Sequence, residues 1–280
     1  MEYMTLNNGI KCPVVGIGTF MLSPQDAENS VREALQMGCT LVDTANAYVN
    51  ERAVGRGIKT SGVKREDVFL STKLWPSEYE NEHAVDETLE RLGTDYVDLL
   101  YIHQPAGNWK AGYRQLEKAY KEGKAKAIGI SNFEGTYFEE LKEMWEIVPQ
   151  FIQVEAHPYF TQQELRTVLD EYGIRIMSWY PLGHGDKSLL NEPVFAELGK
   201  KYGKSPAQII LRWHTQMGFA VIPGSRNPEH IRDNLNILDF TLTDEEMSAV
   251  AALDQGRRYY HRSDEQLAGF AKWKPEFENA

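Results

Sequence analysis

The chain has 280 residues, 42% hydrophobic and 25% charged, with 22 Gly and 12 Pro. That is enough apolar material for one large core or two small ones, and it excludes a disordered chain, a collagen-like repeat and a disulfide-stapled miniature. With 30 Lys and Arg against 41 Asp and Glu the net charge is -11, and no basic run exceeds pairs such as Arg257-Arg258, which argues against nucleic-acid and anionic-membrane partners.

The first residues, Met-Glu-Tyr-Met-Thr-Leu-Asn-Asn-Gly, carry neither a basic region nor an apolar stretch, so no secretory signal is expected. Thr5-Asn8 and Ile10-Pro13, joined at Asn-Gly, predict a hairpin suited to plugging a barrel floor. Short β-branched runs then follow at Val14-Phe20, Thr40-Asp43, Val68-Leu74, Val97-His103, Ala125-Ser131, Phe151-Glu155, Ile174-Trp179 and Phe219-Pro223. Each is too short for a globular helix and rich in Val, Ile and aromatics, as a strand buried on both faces should be.

Amphipathic segments separate the runs. Glu82-Gly93 sets Val85, Leu89 and Leu92 on one face, and Thr161-Gly173 carries the stripe Leu165, Val168, Leu169 and Tyr172. Ser23-Pro24 reads as a cap followed by proline at the first helical position. Thr161-x-x-Glu164 and Thr243-x-x-Glu246 read as capping boxes. Gly38, Gly93, Gly123 and Gly173 fall where helices should end. Eight βα units without a linker-like stretch predict a single α/β domain over 1–280, a (β/α)8 TIM barrel, with a doubly wound sheet as the second choice. The tail from Gly256 contains Tyr259, Tyr260, Phe270 and Trp273 but no clear period.

A barrel places its working residues at the C-terminal ends of its strands. There the sequence supplies Asp43 and Tyr48, Lys73 and Trp75, His103 and Gln104, then Ser131 and Asn132. Asp, Lys and His are costly to bury unpaired, so any one alone reads as a structural ion pair or hydrogen-bonded core residue. Their convergence beside a tyrosine supports a definite chemistry. A phenol is a feeble acid, with a reference pKa of about 10, and an adjacent ammonium favours its phenolate. A carboxylate would hold that ammonium, and a histidine would position a carbonyl oxygen. Such a set can donate a proton to a carbonyl as it becomes an alkoxide, but it lacks a reductant.

The sequence resembles the aldo-keto reductases over nearly its whole length, most closely the bacterial 2,5-diketogluconate and methylglyoxal reductase type. The resemblance rests on Gly16-x-Gly18-Thr19-Phe20, Val42-Asp43-Thr44-Ala45-x-x-Tyr48, Thr72-Lys73-Leu74-Trp75, Ile102-His103-Gln104-Pro105, Ile128-Gly129-Ile130-Ser131-Asn132-Phe133, Gln153-Val154-Glu155-x-His157-Pro158 and Ile222-Pro223-Gly224-Ser225. It implies a catalytic tetrad of Asp43, Tyr48, Lys73 and His103, with Tyr48 the general acid and His103 orienting the carbonyl. It also implies NADPH as cofactor, with NADH a possible substitute. Ser131, Asn132 and Gln153 would hold the carboxamide and Trp179 would stack on the nicotinamide. Gly18, Thr19, Phe20 and Asp43 would pass close to the cofactor, Leu182 and Gly183 would cover the pyrophosphate, and Ser225, Arg226 and Asn234 would meet the adenosine end. Tyr180 stands where many relatives have Ser, while Gly224 and His230 replace a Lys and an Arg that grip the 2′-phosphate in relatives.

The expected substrate pocket comprises Phe20, Tyr48, Trp75, His103 and Trp109, and it suits small aldehydes, α-dicarbonyls or diketo-sugars without choosing among them. Arg257, Arg258, His261 and Arg262 read as a solvated basic face, with contact to an anionic substrate as the second choice. No metal is expected: His157 and His184 are single and lack ligand spacing. Cys12 and Cys39 show neither CxxC nor zinc spacing and read as buried, reduced thiols of a cytoplasmic protein. No heptad or exposed repeat appears, so a monomer is expected, with no membrane span. Two other functions fit parts of the pattern, a barrel lyase using Lys73 as a Schiff-base nucleophile and a non-catalytic nicotinamide-binding regulatory subunit. A Rossmann fold fails because Met21 stands where the third glycine of its fingerprint should fall.

Overall fold

The computed structural model describes residues 1–278; Asn279 and Ala280, the end of the predicted 1–280 unit, lie outside the described residues. The chain opens with an antiparallel hairpin of β1 (Tyr3–Thr5) and β2 (Lys11–Pro13). The turn between them is longer than a two-residue Asn-Gly connection. Leu6 N donates to Ile10 O at 2.9 Å, and the Asn7 and Asn8 side-chain amides reach the carbonyls of Pro149 and Lys126. The predicted strand Thr5-Asn8 is therefore mostly turn, because these long-range acceptors hold both asparagines outside the ladder.

The eight predicted runs all contain strands: β3 (Ile17–Gly18), β4 (Leu41–Asp43), β5 (Phe69–Leu74), β6 (Leu99–Ile102), β7 (Ile128–Ser131), β8 (Phe151–Glu155), β9 (Arg175–Trp179) and β10 (Ala220–Val221). They pair in parallel in sequence order. Gly16 N donates to Val221 O at 2.9 Å, and Val221 N to Val14 O at 3.0 Å. The sheet thus closes on itself, which makes a (β/α)8 barrel and excludes the doubly wound alternative.

Helices α1 (Pro24–Gln36), α2 (Glu51–Ser61), α3 (Ala84–Leu92), α4 (Trp109–Lys121), α5 (Thr136–Lys142) and α6 (Gln163–Asp170) follow β3 to β8 in turn. After β9 come α7 (Lys187–Leu190), α8 (Pro193–Tyr202) and α9 (Pro206–Gln216), and α10 (Pro228–Leu235) follows β10. The chain adds α11 (Asp244–Ala251) and α12 (Asp264–Lys272). Ser23 caps α1, Thr243 and Glu246 form a capping box on α11, and Gly93 ends α3 at φ 66°. The box expected at Thr161 does not form. Thr161 turns its hydroxyl to Asp254, and Gln162 precedes α6 in a left-handed conformation. In the tail, Ser263 and Gln266 form a capping box that starts α12.

Side chains alternate along each strand between two cores. Val42, Leu70, Leu100, Ile128, Ile152 and Ile176 face the helices. Leu41, Phe69, Leu99, Phe151 and Met177 face the barrel axis, where Met4, Leu6 and Cys12 of the hairpin plug the floor. Further along the same inward stripes the residues become polar: Leu41 gives way to Asp43, Phe69 to Ser71 and Lys73, and Phe151 to Gln153. One end of the barrel is therefore a hydrophobic plug and the other a polar floor for a site.

Candidate active site

Asp43 ends β4, Lys73 lies in β5, and His103 directly follows β6. Tyr48 ends the short helical turn Asn46–Tyr48 after β4. The fully buried Lys73 Nζ donates to Asp43 Oδ2 at 2.6 Å, to Thr44 O at 2.7 Å and to the Tyr48 hydroxyl at 3.3 Å. Asp43 Oδ1 accepts from Ser71 Oγ at 2.7 Å and Gln153 Nε2 at 3.1 Å. A relay thus runs from a fully hydrogen-bonded carboxylate through an ammonium to a phenol on the cavity wall.

Burial pulls the Lys73 ammonium down, but the charge and hydrogen bond of Asp43, with Tyr48, more than reverse this and set its pKa above the ordinary value. A charged, fully bonded amine in a dry site is not a Schiff-base nucleophile, so the lyase reading fails. The expectation that Lys73 leaves the phenol more acidic is also corrected. Burial raises the Tyr48 pKa most, Lys73 lowers it, and Asp43 pushes it up again, so the net direction is upward. The phenol holds its proton. Burial, then Lys73, push the His103 imidazole well below its ordinary value, so it is neutral near pH 7. Its ring meets Tyr48 edge-on at 5.6 Å and Trp75 at 5.0 Å.

A continuous cavity of about 890 Å³ opens above this relay. Of the predicted residues, Gly18, Phe20, Asp43, Tyr48, Trp75, His103, Ser131, Asn132, Gln153, Trp179, Leu182, Ser225 and Asn234 line it. Asn132 sits at φ 63°, donates to Ser131 Oγ at 3.2 Å and accepts from Trp179 Nε1 at 3.1 Å, so the proposed carboxamide and ring contacts form one bonded group. A Cβ on Gly18 would lie 2.7 Å from Ile222 O, so only glycine lets the ends of β3 and β10 meet backbone to backbone at the cavity edge.

Five predicted residues do not line the cavity: Lys73, which lies behind Tyr48, and four others. Thr19, between Gly18 and Phe20, is fully buried and bonds Thr44 Oγ1 at 2.9 Å, because neighbouring residues of an extended segment face opposite sides. Trp109 starts α4 and stacks edge-on with Phe133 at 5.3 Å, beside a separate hollow lined by Pro105, Tyr137 and Leu267. It packs a helix and forms no part of the substrate wall. Gly183, at φ 63°, packs beneath Leu189 and Tyr259, and Arg226 is exposed on the loop after β10.

The cavity also takes in Gln104, Tyr180, His230, Asp233, Tyr260, Phe270 and Trp273, which were not among the predicted site residues. The Ser263-x-x-Gln266 box announces the helix that carries Phe270, but nothing in it places that helix over the cavity. Arg257 and His261 are exposed as expected, but Arg257 also pairs with Asp186 at 3.1 Å and Arg258 with Glu134. Among the described residues no cluster of His, Cys, Asp and Glu is placed to hold a metal, and no helix is long and apolar enough to cross a membrane.

The family model described as "Aldo/keto reductase family" matches residues 14–255. The chain belongs to the aldo/keto reductases. The reductase is 42% identical to the glyoxal reductase of Bacillus subtilis, over 95% of this chain and 98% of that one. It is 40% identical to the morphine 6-dehydrogenase of Pseudomonas putida, over 91% and 92% of the two chains. It also superimposes on the crystal structure of a Bombyx mori aldo-keto reductase in complex with NADP at a TM-score of 0.88, with 31% identity over 95% of this chain and 96% of that one. It is an oxidoreductase of the family that acts on small carbonyl compounds through a nicotinamide cofactor, and the intact relay leaves no reason to read it as a non-catalytic relative.

Proposed function

We propose that this reductase converts aldehydes and ketones to alcohols using NADPH, with Tyr48 delivering the proton to the carbonyl oxygen. The observation that carries the reading is the buried Asp43–Lys73–Tyr48 relay ending beside a neutral His103 at the cavity wall. A reduced nicotinamide, when bound, supplies the hydride. The chain supplies the rest. The Tyr48 hydroxyl gives up its proton, and the Lys73 ammonium at 3.3 Å stabilises the phenolate left behind. Asp43 keeps that ammonium charged and aimed, and His103 orients the carbonyl by donating a hydrogen bond.

Ser131, Asn132 and Gln153 would hold the carboxamide, Trp179 the ring face, Leu182 the pyrophosphate, and Asn234 the adenine. The cradle fits such a group because its backbone at Gly18 and its linked Asn132 amide and Trp179 indole line one continuous cavity. At the adenosine end Gly224 and His230 supply no fixed cation, and Asp233 lines the wall. Among the described residues Arg226 has no ion-pair partner, and we assign it and Ser225 to the 2′-phosphate. NADPH is then preferred and NADH remains usable. The same reading takes the chain as one functional unit over 1–280, a monomer of the cytoplasm; the free, buried Cys12 and Cys39 support a reducing compartment.

The test follows loss of nicotinamide absorbance with benzaldehyde and methylglyoxal, run in parallel with NADPH and NADH. Tyr48→Phe is expected to lower kcat by the ~10²–10⁴-fold typical of a missing general acid. Quenching of protein fluorescence by NADPH should persist in that variant. Full turnover without the phenol would refute the assignment.

A further inference from the structure

The substrate end of the cavity has a composition that carbonyl reduction does not by itself require. Aromatic rings form a connected wall: Phe20 lies 5.1 Å from Tyr48, His103 bridges Tyr48 to Trp75, and Trp75 meets Phe270 at 5.3 Å and Trp273 at 5.1 Å. Among the described residues no lysine or arginine lines the cavity. The rim is apolar as well, with Phe20, Met21 and Trp273 exposed at 53%, 81% and 49%.

Apart from Tyr48 and His103, which serve the reacting carbonyl, the indole and cationic donors nearest the substrate end are already engaged. The Trp75 indole N–H donates to Phe270 O at 3.1 Å and Trp273 O at 3.2 Å, which also latches the end of α12 over the pocket. Lys73 is held by Asp43, Thr44 and Tyr48. Arg257 and Arg258 of the tail are paired with Asp186 and Glu134. The remaining polar side chain next to His103 is Gln104, which is 7% exposed, lines the cavity, and has no partner for its Oε1 among the described residues. It is neutral. An overall charge of -11 adds a repulsive field for any anion that approaches the mouth.

We infer that the reductase selects electrically neutral carbonyl compounds with a flat apolar body, gripped by Trp75, Phe270 and Trp273, and rejects those that carry a carboxylate. The inference rests on the carbonyl-reductase reading and narrows its substrate class. An apolar ring gains burial and edge contacts against this wall, whereas an anion loses its water and finds no cation to replace it.

The test compares 4-methylbenzaldehyde with 4-carboxybenzaldehyde, which share a ring and reactive group but differ in charge, and adds methylglyoxal as a small polar substrate. The neutral aromatic aldehyde is expected to exceed the carboxylated one in kcat/KM by at least about tenfold, because an unpaired carboxylate sheds its water with no cation to replace it. It should exceed methylglyoxal too. Trp273→Arg, which sets a cation on the rim, should narrow the charge discrimination. A binding readout stands apart from turnover: 4-methylbenzamide should quench protein fluorescence at lower concentration than 4-methylbenzoate. If neither aldehyde is reduced but the amide still binds more tightly, the reductase reading falls and the charge selectivity stands. Equal or tighter binding of the benzoate, or faster reduction of 4-carboxybenzaldehyde, overturns the inference.

Discussion

Lys73 Nζ lies 2.6 Å from Asp43 Oδ2, and the two side chains are 0% and 2% exposed. Such a pair holds together because neither charge has water to return to. Asp43→Asn removes the counter-charge and leaves the ammonium only neutral acceptors such as the Thr44 carbonyl and the Tyr48 hydroxyl, and breaking a buried pair in this way costs about 3–5 kcal/mol. Urea denaturation should show that loss. Adding Lys73→Met to the same variant should restore much of the stability, since no unpaired charge then remains, while activity stays lost. An Asp43→Asn protein as stable as the parent would mean that water reaches the pair.

The pH profile of reduction follows from two opposite shifts. Tyr48 is raised from 10.0, so its proton remains available across neutral and mildly alkaline pH. His103 is lowered well below 6.5, so it stays neutral across the same range. The kcat of reduction should therefore be flat between 6.5 and 10.0 and fall only above that window, as Tyr48 loses its proton. A limb centred near the ordinary histidine value would show that an imidazole titrates during turnover.

The strands were legible because a parallel barrel buries both faces, so each appears as an unbroken apolar run. The cluster of Asp43, Lys73 and His103 was legible because these residues stand where those runs turn polar. What escaped the sequence depends on partners far along the chain. Asn7 and Asn8 look like turn residues, but their amides bond to carbonyls near residues 149 and 126. Thr161 has the spacing of a capping box, yet its hydroxyl goes to Asp254. Trp109 follows the His-Gln-Pro stretch closely enough to suggest a pocket wall, but it begins a helix that turns it onto Phe133. Thr19 is different, because strict alternation from Gly18 and Phe20 already places it on the other face.

Gly129 illustrates a motif residue whose reason is packing. A Cβ there would overlap Cε1 of Tyr101, a fully buried ring inside the barrel. Gly129→Ala must move that ring or the strand, and overpacking of this kind costs about 1–3 kcal/mol. Thermal or urea unfolding should register the loss. Tyr101→Phe/Gly129→Ala should be no better, since the clash is with the ring and not the hydroxyl. Tyr101→Leu/Gly129→Ala should recover stability by vacating the space.

Glu155, at the end of β8, fastens the tail to the barrel. It is completely buried and accepts from Tyr259 N at 2.6 Å, Tyr260 N at 3.1 Å and His157 Nε2 at 2.9 Å. Those contacts hold Tyr260 against Trp179, 5.6 Å between ring centres, at the cavity wall. Burial pushes the Glu155 pKa up, but the hydrogen bonds from His157 and the two tail amides reverse this and set it below the ordinary 4.5. A depressed carboxylate stabilises the fold above its unfolded value and loses that contribution as pH falls through its folded one. The parent should therefore lose stability on acidification below pH 4.5, and Glu155→Gln should lose less over the same interval. At neutral pH, Glu155→Ala leaves two buried tail amides without an acceptor, a penalty of about 1–3 kcal/mol each. The tail beyond residue 256 should then become sensitive to limited proteolysis, and KM should rise more than kcat falls. Unchanged proteolysis in Glu155→Ala would show that Trp75 and the arginine pairs hold the tail without this carboxylate.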